Sequence, residues 1–200
     1  MDGGELLSDE SAQRDVICRL ARDLWLRGFI AGDGGMFTCE CHRRRYLATP
    51  PGKRRASLTP PDLLLVDSGG VDLRTEHPLD QSVWKPHRLA YALARNERDA
   101  AEAPGSIAAT LLCTPPCIAA WHNLHPGDLI LEFASGSALT VAAVENDTRF
   151  AEALRRDGAV LIPQLGLLTT GPTPDIAANT AERLEQYAAV DLATRRMETA

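Results

Sequence analysis

Leu26-Arg-Gly-Phe-Ile-Ala-Gly-Asp-Gly-Gly35, followed at once by Met36-Phe-Thr-Cys-Glu-Cys41, is the stretch on which the fold turns. The glycine cluster of Ala31 to Gly35 cannot continue a helix and reads as a tight turn. Phe37, Cys39 and Cys41 then alternate with Thr38 and Glu40, the period of a half-buried strand that sends the first three to one face. Just upstream, capping residues between Ser8 and Ser11 precede Ile17, Leu20, Leu24 and Trp25 at helical spacing, and Gly28 supplies the stop. Downstream, Arg43 to Arg45 form the exposed tip of a hairpin whose return strand, Tyr46 to Thr49, ends at Pro50-Pro51-Gly52. Lys53-Arg54-Arg55 adds a second basic run, read as a solvated loop face.

The same reading extends along the chain. Thr59-Pro60-Pro61-Asp62 introduces the strand Leu63 to Val66, and Asp67-Ser68-Gly69-Gly70 turns the chain toward Val71 to Leu73. Ser82 to Arg95 is helical, with Pro86 placed in its first turn. Ile107 to Cys113 is a buried strand, and Pro115-Pro116 opens a short helix through Trp121. Leu129 to Phe133 pairs with Leu139 to Ala143 across Ala134 to Ser137, and Asp147 begins the next helix. Short strands Ala159 to Ile162 and Leu167 to Thr170 flank Gln164-Leu165-Gly166, and Pro174-Asp175 opens a long final helix. Helices bracketing antiparallel hairpins give one layered α and β domain.

Two hundred residues with 44% hydrophobic side chains suffice for a single core without staples. A net charge of −6 disfavours wrapping nucleic acid or an anionic lipid surface. The acidic start, Met1 to Glu10, lacks the basic and apolar regions of a secretory signal, and no apolar run is long enough to span a bilayer. Five unevenly spread cysteines, Cys18, Cys39, Cys41, Cys113 and Cys117, fit reduced thiols in a cytoplasmic setting.

The blocks Leu26 to Gly35 with Met36-Phe37-Thr38, Leu47-Ala-Thr-Pro-Pro-Gly52, Leu58 to Asp67 and Gly158 to Gly171, in that order, resemble the class II aldolase/adducin family over most of the chain. They are similar to that family's Gly-Gly-Asn-x-Ser turn, Thr-Pro-Ser-Gly turn, leucine-threonine-proline strand entry and Asn-His-Gly turn between two strands. The resemblance implies an α/β fold, a three-layer α/β/α sandwich with a largely antiparallel central sheet, spanning residues 11–200 behind a polar tail at 1–10. It also implies a homo-oligomer, a cyclic tetramer with sites between subunits.

The family's chemistry uses a divalent metal, usually zinc, held by a His-x-His pair and by the histidine of the Asn-His-Gly turn, with an acidic side chain moving the proton. Here Leu112-Cys113-Thr114-Pro115 stands at the pair, and Gln164-Leu165 at the turn; leucine has no lone pair to offer. Ser82-Val83-Trp84 aligns with the segment carrying the acid, leaving tryptophan at the proton-transfer position, and Met36 replaces the substrate-holding asparagine. The expectation is therefore no metal cofactor, no catalytic residue, and a structural, regulatory or assembly role with a possible protein partner. Trp25, Trp84 and Trp121 are candidates to fill the abandoned space. Gly35, Thr38, Thr49, Gly52 and Ser82 remain as a vestigial phosphate pocket or, more simply, as turn and capping residues.

Alternative readings are a divergent sugar-phosphate lyase or epimerase with an altered site, and a sensor of phosphorylated metabolites near Thr49, Gly52 and Ser82. A relocated metal site at Cys113, Cys117, His122 and His125 has suitable ligand types, but helical geometry spreads them apart. In Cys39-Glu40-Cys41-His42, alternation favours core packing of both thiols. His77 and His87, beside prolines, are expected at the surface.

Overall fold

The structure, a computed structural model, describes residues 3–99, 107–124, 127–132, 138–143 and 147–198. The glycine turn separates α1 (Gly3–Leu26) from β1 (Met36–His42), and β2 (Arg45–Ala48) returns beside it. Then follow β3 (Leu64–Asp67), α2 (Gln81–Asp99), β4 (Ala109–Cys113) and α3 (Pro116–Leu124). The chain continues through β5 (Leu129–Glu132), β6 (Ala138–Val141), α4 (Asp147–Asp157), β7 (Ala159–Ile162), β8 (Gly166–Gly171) and α5 (Pro174–Glu198).

Six strands make one sheet in the order β3-β2-β1-β4-β8-β7, antiparallel at every pairing. β5 and β6 pair separately. The period of two sorts side chains between two cores: Phe37, Cys39, Leu47, Leu111 and Leu167 face one, while Met36, Tyr46, Ala48, Leu112 and Leu168 face the other. The first core is closed by Ile17, Leu20 and Leu24 of α1, Ile118 and Trp121 of α3, and Ala177, Ala181, Leu184 and Ala188 of α5. The second is closed by Trp84, Ala90, Tyr91 and Leu93 of α2 with Phe150, Ala153 and Leu154 of α4. This is the expected α/β/α sandwich with an antiparallel centre.

Three local readings change. The helical trace of α1 already starts at Gly3, ahead of the capping residues at 8–11. Val71 to Leu73 forms isolated bridges, Val66 with Asp72 and Val71 with Pro78, because the Asp67 carboxylate binds the Gly69 and Val71 amides and curls the turn. Pro86 lies beyond the first turn of α2, since Asp80 caps the helix through the Ser82 amide and moves its start to Gln81. The expected turn at Ala134 to Ser137 lies outside the described residues.

Candidate functional site

The two turns singled out as a phosphate pocket meet around a residue that the charge pattern misplaced. Arg55 is buried, 2% exposed, rather than part of a solvated basic face. Its Nη1 donates to the carbonyls of Pro50 and Lys53 at 2.7 and 2.8 Å, and Nη2 to the carbonyl of Gly35 at 2.7 Å. Its backbone amide also reaches the carbonyl of Gly32. One guanidinium thus ties the 31–35 turn to the 50–53 turn. Burial draws its pKa down to about 10, and Nε has no hydrogen-bond partner. Lys53 instead pairs with Asp62, and Arg54 lies 4.3 Å over the half-buried Trp25 ring. Arg43, Arg44 and Arg45 are exposed, as read from sequence.

Each candidate pocket residue already has protein work. Gly35 has φ +66°, and a Cβ there would stand 2.7 Å from the Leu112 carbonyl. The Thr49 hydroxyl, fully buried, accepts from the Phe37 amide at 3.2 Å. The Gly52 amide donates to the Asp33 carboxylate, and the Ser82 amide and hydroxyl both donate to Asp80. Thr38 points to the second core, where its Oγ1 lies 2.7 Å from the Tyr91 hydroxyl and 2.5 Å from Thr110 Oγ1. The structure therefore joins Gly35, Thr49 and Gly52 through neighbouring turns, and puts Thr38 and Ser82 in separate hydrogen-bond groups.

The Thr38 group contains a second correction. His87 is fully buried, not superficial, with Nδ1 2.5 Å from Thr110 Oγ1 and its ring stacked 6.2 Å from that of Trp84. Helix α2 carries it inward, because Trp84, His87 and Tyr91 share one helical face. Desolvation lowers its pKa to about 3, so it is neutral near neutrality. Trp84 is itself fully buried, edge-on to Tyr46 at 5.8 Å, and its Nε1 has no hydrogen-bond partner. Gly70 makes room for it: a Cβ at that position would come within 2.6 Å of the indole. Trp121 is also buried, donating from Nε1 to Asp191 at 2.9 Å.

Beyond β4 and the β7–β8 turn lies a cleft of about 220 Å³, lined by Thr114, Pro115, His122, Gln164 and Leu165 among others. It brings together the two segments that the family resemblance paired as metal-holding. Cys113 does not open into it as a free ligand; the thiol is 1% exposed in the first core, and burial with the Glu185 carboxylate raises its pKa well above the usual thiol range. Glu185 of α5 accepts from the Cys117 and Ile118 amides at 2.7 and 3.0 Å, capping α3. His122 carries a buried Nδ1 with no hydrogen-bond partner.

Among the described residues, Cys113, Cys117 and His122 do not gather as a ligand group, and His125 lies outside them. Glu10, Cys41 and His42 do gather, with ligand atoms all within 4.8 Å of one another. Cys39 packs in the core beside Phe37, and Cys41 is half-buried against it, as alternation predicts. Sequence offered no sign that Glu10, some thirty residues upstream, would meet the hairpin. The partners of Arg55 and Glu185 were equally invisible, since carbonyls and amides leave no residue-type signal.

Known proteins share this architecture. The model of the Class II Aldolase and Adducin N-terminal domain matches residues 15–192. The chain is 24% identical over 188 residues to 3-oxo-tetronate 4-phosphate decarboxylase of Haemophilus influenzae, covering 88% of this chain and 85% of that protein. Its fold is similar to that of L-fuculose-1-phosphate aldolase from Thermus thermophilus, with a TM-score of 0.72, 24% identity and coverage of 94% and 97%. L-fuculose 1-phosphate aldolase from Glaciozyma antarctica superposes with a TM-score of 0.74 at 20% identity, over 94% of this chain and 75% of that one. The chain belongs to the class II aldolase and adducin family.

Proposed function

We propose that this protein is a family member without metal-dependent carbon–carbon chemistry, serving a structural, regulatory or assembly role in the cytoplasm as a homo-oligomer. The observation that carries this reading is the donor set at the cleft. His122 offers the cleft a single imidazole, while the positions that the resemblance pairs with metal ligands hold a core-buried thiol, a proline ring, a leucine and a carboxamide, so the tetrahedron of deprotonated sulfur, imidazole and carboxylate that zinc takes is not assembled there. The indole of Trp84, packed against Tyr46 and Gly70, supports the same reading where the resemblance pairs Ser82-Val83-Trp84 with the acid-bearing segment. The turns also argue against holding a phosphate, because the carboxylates of Asp33 and Asp80 already take the Gly52 and Ser82 donors and would repel an anion there.

The test is turnover by the intact chain on L-fuculose 1-phosphate and 3-oxo-tetronate 4-phosphate, the compounds in its relatives' names, with zinc, cobalt, manganese or magnesium added. No cleavage or decarboxylation above the protein-free rate is expected. Turnover that disappears in Cys113→Ala or His122→Ala would overturn the proposal and favour the altered-site enzyme. A second reading, a binding cleft for a small polar metabolite, draws on the partnerless Nδ1 of His122 beside Gln164 and Thr114. Thermal-shift titration with sugar phosphates distinguishes it: a dose-dependent rise in Tm lost in His122→Phe supports binding there.

A further inference from the structure

The β1–β2 hairpin contains a register irregularity near its tip. Pairing runs Cys39 with Leu47 and Glu40 with Tyr46, then slips so that His42 faces Arg45 and Cys41 is left as the extra residue. In a regular strand Cys41 and His42 would point to opposite faces. A bulge bends the strand and re-aims the side chains beside it. Here both ligand atoms turn toward the same carboxylate, and His42 Nε2 comes 3.6 Å from Glu10 Oε2.

We propose that Glu10, Cys41 and His42 form a binding site for a divalent transition metal of the zinc class, joining α1 to the hairpin. The donor set is one carboxylate oxygen, one thiolate sulfur and one imidazole nitrogen, each a ligand type that zinc accepts. Thiolate and carboxylate together would neutralise the ion's two positive charges. The remaining tetrahedral position faces water, since the Glu10 and His42 side chains keep 17% and 27% of their exposure. An outer shell is already in place: Arg14 Nε donates to the other Glu10 oxygen at 2.9 Å and orients the carboxylate. The thiol, 3.5 Å from the Arg45 carbonyl, is held at the hairpin by a weak bond that metal uptake would replace.

This site is distinct from the cleft. Met36 pairs with Leu112, next to Cys113, whereas Cys41 lies five residues further along β1, roughly 17 Å away at the rise of a strand. Binding here therefore supplies a tether between helix and hairpin, and turnover at the cleft is a separate measurement.

The test uses the full chain, stripped with a chelator and then titrated with Zn²⁺ by calorimetry and with Co²⁺ by absorption. One equivalent of Zn²⁺ per chain and a thiolate-to-cobalt charge-transfer band in the near ultraviolet are expected. Cys41→Ser should abolish the band, and His42→Ala should weaken Zn²⁺ binding by at least about tenfold. Cys117→Ser should keep both signals. Failure of the unaltered chain to take up stoichiometric Zn²⁺, absence of the thiolate band from it, or persistence of the band in Cys41→Ser overturns the assignment. Because the first two outcomes are read on the unaltered chain, misfolding of a variant does not shield the proposal.

Discussion

At the residue scale, Arg55 and His87 are polar side chains buried within the fold, 2% and 0% exposed. Arg55 donates to three carbonyls, so Arg55→Met, similar in length and without charge, removes all three bonds in a desolvated place. The expected loss is about 3 kcal/mol in urea denaturation. His87 makes stability depend on pH. Its folded pKa, about 3, lies below the ordinary 6.5, so the unfolded chain binds a proton between those values that the folded chain refuses. Its contribution is intact above about pH 6.5 and falls as pH drops toward 3, by at most about 1.4 kcal/mol per unit. Replacing it in His87→Asn should flatten the stability profile across that window by the equivalent of one proton, and an unchanged slope would disprove the assignment. Both residues were misread from sequence for one reason: charge and a neighbouring proline describe the local chain, while burial is set by what packs on top.

Elements were far more legible than side-chain partners. The alternation of Phe37, Cys39 and Cys41 fixed the facing of β1, and the glycine turn before it, the two hairpin arms and the long last helix all lie where periodicity and turn residues put them. Helix starts were less legible, because α2 begins where the Asp80 side chain reaches back to it. Helix α3 is short, and Glu185 from another helix caps it. Glu185→Ala should cost about 1–2 kcal/mol by freeing two amides of that end. The same change should speed alkylation of Cys117, whose thiol is held above its ordinary pKa first by burial and then by that carboxylate. The β7–β8 turn is equally committed. Gly166 has φ +114°, and a Cβ there would approach the Cys113 carbonyl to 2.4 Å, so Gly166→Ala should lower Tm by several degrees or prevent folding.

At the scale of the whole molecule, family membership came through because turns and strand entries are written in glycine, proline and threonine, which keep their meaning whatever side chains line the cleft. That His122 would line the cleft was not legible in the sequence, because it depends on how α3 packs. The sheet separates two hydrophobic compartments, and the compartment under α2 and α4 is the one that contains His87 and its hydroxyl neighbours. Acid should therefore attack this protein from one side. Near pH 4, amide exchange measured by mass spectrometry should quicken in α2 and α4 while α1 and α5 stay protected; uniform loss across all four helices would refute this. A sheet with unlike linings acts as a bulkhead: flooding one hold need not sink the other, and the chain could pass through a half-dismantled form that still presents its opposite face intact.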